Sequence, residues 1–96
     1  MIEIRQTDEY ARWFGKLRDH QARARILARI RRLQLGNPGD VEPVGESVSE
    51  LRIPYGPGYR VYFTKRGDTL VFLLAGGDKK TQKRDIEKAK KLARGL

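Results

Sequence analysis

The stretch LVFLLAGG, residues 70 to 77, constrains this chain more than any other. Six consecutive apolar residues lie between the turn-forming KRGD and GGD, too few for a helix and without alternation, so they read as a strand buried on both sides. Such a strand belongs inside a sheet with cover above and below it. With 96 residues and no internal repeat, the chain reads as a single domain, residues 1–96, whose own helices are expected to supply that cover.

The helices are legible on either side. IEIRQ (2 to 6) alternates as a short strand, Thr7 then offers an N-cap with Asp8 and Glu9 in the first turn, and Tyr10, Trp13, Phe14 and Leu17 form one apolar stripe. Asp19 caps a second helix, from about 20 to 35, whose buried stripe is Ala22, Ile26, Ile30 and Leu33. Gly36, Asn37 and Pro38 end it, and GNPGDVEPVGES (36 to 47) reads as a connecting loop. Strands at about 48 to 54, 59 to 65 and 69 to 75 form a meander. A terminal helix opened by Thr81 carries Ile86, Ala89, Leu92 and Ala93 on one face. The expected class is α+β, β-α-α-β-β-β-α, with the helical hairpin on one sheet face and the last helix helping to cover the other.

Register follows from parity, because apolar residues of neighbouring strands must share the buried face. Leu51 and Ile53 then face with Tyr59, Val61 and Phe63, which pairs residue 52 with 60 and 50 with 62. The opposite face receives Glu50, Arg52, Arg60 and Tyr62. Two adjacent arginines with a carboxylate and a phenol suit either a solvated sheet face or a phosphate site.

Lysine and arginine number 21 against 12 acids, a net charge of +9 that favours phosphate or an acidic protein as partner. With no cysteine and one histidine, His20, the usual zinc ligand sets and a thiolate nucleophile are missing, so any chemistry is expected to need neither metal nor cofactor. No apolar run reaches the roughly 20 residues of a membrane span. The expectation is a cytoplasmic protein without membrane contact.

Within GGDKKT, the glycines are read as letting the backbone turn, leaving free amides at a helix start beside Lys79 and Lys80. That arrangement is either an anion site or an ordinary strand-to-helix turn. Asp85, in the first turn of the last helix, either complements the helix dipole or moves protons. Arg25, Arg29 and Arg32, at i, i+4 and i+7, are either a solvated face or a surface for an acidic partner.

In LRIPYGPGYRVYF and LLAGGDKKTQKRDIEKAKKLA the sequence resembles the RelE/ParE superfamily of bacterial toxins, in its HigB-like branch of addiction-module killer proteins. The resemblance covers nearly the whole chain. It implies the toxin of a type II toxin-antitoxin module, a ribosome-dependent mRNA endonuclease that inhibits translation. The alternatives are a ParE-like gyrase inhibitor and a non-catalytic basic RNA-binding module. Arg60 matches the family's arginine after Gly-Tyr, Arg52 its basic residue one strand earlier, and Lys79 the base after the final strand. Asp85 stands where several relatives carry tyrosine or histidine. On this reading Arg60, Arg52, Lys79 and Asp85 are catalytic, converging on one hollow with Lys79 or Asp85 as base. Lys80, Lys83, Arg84, Tyr62 and Glu50 line the RNA. In the non-catalytic RNA-binding alternative, Tyr62 and Tyr55 are the aromatics available as a stacking platform. The implied partners are messenger RNA on the ribosome and a cognate antitoxin, a small helix-turn-helix protein seated on Arg25, Arg29 and Arg32. Operator DNA would be reached only through that antitoxin.

Overall fold

The computed structural model describes residues 1–96. Its elements are β1 (Glu3–Gln6), α1 (Asp8–Lys16), α2 (His20–Gln34), β2 (Val41–Gly45), β3 (Val48–Ile53), β4 (Tyr59–Arg66), β5 (Leu70–Gly77), a 3-10 turn (Lys79–Thr81) and α3 (Gln82–Arg94). The class is α+β, and one mixed sheet has the order β1-β5-β4-β3-β2. Strand β1 runs parallel to β5 and the other neighbours are antiparallel. The apolar strand β5 thus has a strand on each side and helices on each face.

Two cores result, one per face. Tyr10, Ile26, Ile30 and Leu33 from α1 and α2 pack on Leu51, Ile53, Val61, Phe63, Val71 and Leu73. Ala89 and Ala93 of α3, with Ile86 and Leu92 at the margin, cover Val48, Tyr62, Leu74 and Ala75. The caps form where the side chains allow them: Thr7 accepts from the Tyr10 amide at 3.1 Å, and Asp19 accepts from the Gln21 and Ala22 amides.

A bulge in β5 determines what meets the end of that strand. Tyr62 pairs with Ala75 but Phe63 pairs with Leu73, so Leu74 is the extra residue and its carbonyl accepts from the Thr7 hydroxyl at 2.6 Å. Leu74 and Ala75 both belong to the α3 core, and the alternation beyond them is reset. Gly76 then faces α1 and Gly77 faces α3: a Cβ on Gly76 would lie 2.1 Å from the Trp13 ring, and one on Gly77 would lie 1.8 Å from Asp85 Oδ2. The Gly-Gly pair is required by close approach. The expected backbone turn at the glycines is therefore corrected, because the strand continues through Gly77.

Strand β2 lies within the segment read as a loop. Pro43 interrupts its pattern, which an edge strand tolerates because one side of its backbone needs no partner. Its hairpin to β3 closes with Glu46 and Ser47 at φ of 53° and 64°, the paired left-handed conformation of a two-residue turn. Neither residue is the asparagine or glycine that ordinarily marks such a turn in sequence.

Tyr10 and Tyr62 are 2% and 0% exposed. Burial pushes both phenols above their ordinary range near about 10, and for Tyr62 the Glu50 carboxylate adds to the effect. Below that range both folded and unfolded chains keep the proton, so the stabilisation is fully present. As pH rises past about 10 the unfolded chain ionises first, and stability should fall. Urea unfolding at neutral and strongly alkaline pH is expected to show this loss, and Tyr62→Phe should lessen it.

Candidate functional site

The register derived from parity is the one observed: Glu50 pairs with Tyr62 and Arg52 with Arg60. The second rung continues to Gly77 on β5, and Lys79 follows two residues later. One corner of the sheet therefore collects Arg52, Arg60 and the basic start of α3.

Beneath that corner lies a buried polar knot. Glu50, 2% exposed, accepts through Oε1 from Arg60 Nε at 3.0 Å, the Tyr62 hydroxyl at 3.3 Å and Gln82 Nε2 at 2.7 Å. A buried carboxylate is tolerable only when paired and hydrogen-bonded, and three donors from β4 and α3 meet that condition. Arg60 is in turn held by a second bond, Nη1 to the Gly58 carbonyl at 2.6 Å, so its guanidinium is fixed at two points and Nη2 keeps no protein partner. Its side chain is 11% exposed. The earlier assignments of Tyr62 as a stacking surface and Glu50 as an RNA contact are corrected, since α3 covers both and they act from below.

Gly58 joins Arg60 to Lys79. At φ +80° it occupies backbone space that L side chains rarely adopt, and a Cβ there would lie 2.9 Å from Arg60 Nη1 and 3.6 Å from Lys79 Cβ. The Lys79 amide also donates to the Pro57 carbonyl at 3.4 Å. Arg60 and Lys79 are thus neighbours across one turn. The expected enclosing hollow does not join them: the two surface hollows of the molecule are lined by other residues.

The amides at the start of α3 are occupied. Asp78 accepts from the Lys80 and Thr81 amides and its own amide points to the Thr81 hydroxyl, a reciprocal capping box around the 3-10 turn. Thr81 makes no cap with its own side chain, contrary to expectation; its hydroxyl donates to Asp85 Oδ2 at 2.5 Å. An anion held by free backbone N–H groups is therefore replaced by the Asp78 carboxylate, and cationic side chains are what remains for an outside phosphate. Lys79, Lys80 and Lys83 are exposed and make no ion pair, while Arg84 is largely exposed and lies 3.6 Å from Asp85.

Two other expected catalytic groups are differently placed. Arg52 turns toward the sheet edge, where Asp40 at 3.1 Å and Glu42 at 3.8 Å hold it and the Asp40 hydrogen bond raises its pKa. Asp85 is 2% exposed, packed over Gly77 and bonded to Thr81, so it cannot reach a substrate and its role is to shape the corner. Arg25, Arg29 and Arg32 do share one side of α2, lining a separate hollow with Tyr55. No group of three or more potential metal ligands is assembled. No helix is long and apolar enough to cross a membrane.

Gln82, Asp78 and Gly58 escaped the sequence reading, and Thr81 entered it only as a cap, not as the partner of Asp85. Only Gly58, in the turn-forming YGPG, carried a signal that could have marked it.

The sequence pattern of the family described as Phage derived protein Gp49-like matches residues 12–94. Over 95 residues, 99% of this chain and 96% of the other, the sequence is 50% identical to a protein of Haemophilus influenzae described as an uncharacterized protein. No solved structure matches.

Proposed function

The chain belongs to the Gp49-like family of phage-derived proteins, and from that premise we propose that it is the toxin of a type II toxin-antitoxin module, cutting messenger RNA on the ribosome. The single observation that carries the reading is Arg60: a guanidinium fixed by Glu50 and the Gly58 carbonyl, keeping one nitrogen unpaired beside exposed Lys79. The resemblance of the surrounding motifs to RelE and HigB toxins supports the same conclusion.

In the proposed reaction the RNA 2′-oxygen attacks its own adjacent phosphorus, and the bond to the 5′-oxygen breaks. A 2′,3′-cyclic phosphate and a 5′-hydroxyl result. Charge accumulates on the non-bridging oxygens in the transition state, where Arg60 Nη2 donates without reorganising because the rest of the group is already held. Lys79, an exposed cation on the neighbouring turn, takes the acid's part in place of the base expected from the sequence, and protonates the departing 5′-oxygen. The 2′-proton passes to water or to a ribosomal group, since Asp85 and Tyr62 are buried. Lys80, Lys83 and Arg84 attract the phosphates on either side. Orientation of the message by the ribosome supplies much of the remaining rate.

Induced expression followed by mapping of message ends and plasmid topology tests this. New ends within translated codons, absent from Arg60→Ala, are the expected result. Intact messages with altered supercoiling would replace the nuclease by gyrase inhibition.

A further inference from the structure

A second basic feature lies on another part of the surface. Between α2 and the end of β3 is a hollow of about 240 Å³, lined by Arg25, Arg29, Arg32 and Tyr55 over an apolar floor of Ala28, Ile53 and Pro54. Its three arginines do not play the same part. Arg29 is half-buried and donates to the backbone carbonyls of Arg52, Pro38 and Asp40, so it holds the β2 approach in place. Arg25 and Arg32 are exposed, and neither makes an ion pair with any residue of the chain. Arg25 lies 4.6 Å over the Tyr55 ring, and the Tyr55 hydroxyl is bonded to Asp19.

We infer that this hollow seats an acidic segment of a partner protein, a carboxylate on Arg25 and Arg32 with an apolar side chain on the floor. Charge complementarity selects an acidic occupant, because two unpaired guanidiniums flank the opening while Arg29 adds a third fixed positive charge. The floor selects peptide over RNA. Recognition of single-stranded RNA relies on aromatic faces for stacking, and here the Tyr55 ring is already covered by Arg25 and its hydroxyl engaged. Leu35, 59% exposed, extends the apolar track at helical spacing beyond Ala28 and Arg32. A partner helix or strand carrying alternate acidic and apolar residues would match both features.

The hollow also touches the turn that builds the candidate nuclease corner. Pro54 and Tyr55 begin the loop whose Pro57 and Gly58 carbonyls hold the Lys79 amide and Arg60 Nη1. A partner seated here bears on that turn without covering Arg60.

The test is fluorescence anisotropy with the purified full chain and a short blocked peptide alternating glutamate with leucine. Arg25→Gln combined with Arg32→Gln should weaken binding about tenfold or more, whereas the equal charge loss in Lys65→Gln with Lys91→Gln should change it less than about threefold. Arg29 is left intact because its bonds are structural, and thermal unfolding checks that both variants fold. Equal weakening by the two pairs would reduce the effect to diffuse attraction and overturn the inference, as would absence of binding. A single-stranded RNA oligonucleotide whose affinity falls more than the peptide's in the arginine variant would reassign the hollow to phosphate. Binding is read without cleavage, so an inactive nuclease leaves the result standing, and a failed peptide leaves the nuclease reading untouched.

Discussion

Glu50→Ala is expected to lower the free energy of unfolding by about 3–5 kcal/mol, because it leaves the Arg60 guanidinium almost buried with no counter-charge. The carboxylate receives three hydrogen bonds, so Tyr62 and Gln82 lose their acceptor at the same time. For a domain whose total stability is on the order of 5–15 kcal/mol, that is a large share. Glu50→Gln keeps an acceptor oxygen and removes only the charge, and its smaller loss would separate hydrogen bonding from ion pairing. Removing both partners in Glu50→Ala with Arg60→Ala should cost less than the sum of the single changes, since the isolated charge is then gone. Urea unfolding of the four proteins measures the coupling. Additivity would show that the knot contributes little.

Gly76→Ala should be nearly as damaging, for a steric reason. The added methyl would enter the Trp13 ring at 2.1 Å, so either the indole leaves its place against β5 or the end of the strand moves. Overpacking of this kind typically costs about 1–3 kcal/mol, and the end of β5 is where Gly77, Asp78 and Lys79 are positioned, so a value near about 3 is expected. Trimming the obstruction should restore much of it: Trp13→Leu in the Gly76→Ala background is predicted to be less destabilising than in the wild type. The thermal midpoints of the four proteins read this directly. If Gly76→Ala alone is neutral, Trp13 does not define the strand end.

These two sites show where sequence reasoning reached and where it stopped. Parity placed Glu50 opposite Tyr62 and Arg52 opposite Arg60 because alternation carries a face assignment, and both pairings are observed. The same reasoning set polar residues on a polar face, and it missed that α3 covers Glu50 and Tyr62. A buried carboxylate with three donors cannot be told from an exposed one by composition. The Gly-Gly pair was read through backbone freedom, whereas its cause is a bulge that directs one glycine at Trp13 and the next at Asp85. That bulge leaves no mark in an unbroken apolar run. Strand β2 was hidden by Pro43 and by a hairpin turn made of Glu46 and Ser47, residues that seldom adopt left-handed φ. Asp78, and not Thr81, caps the entry to α3 because a 3-10 turn precedes the helix and shifts the cap by three residues.

The corner at Gly58 is consequently narrower than the sequence implied. Arg60 and Lys79 remain as the paired cations, with Glu50 holding the first from beneath and Asp85 shaping the ground between α3 and β5. Arg52 belongs to the Asp40 and Glu42 edge.

The most direct test of the nuclease account is the single-turnover cleavage rate of a message on a programmed ribosome, comparing the wild type with Arg60→Lys. Lysine keeps a positive charge but cannot bond Glu50 and Gly58 while directing a further nitrogen outward. The account predicts a loss of roughly two orders of magnitude, corresponding to about 3 kcal/mol of transition-state stabilisation, with the fold retained. A folded Arg60→Lys protein that cuts at the wild-type rate would contradict it.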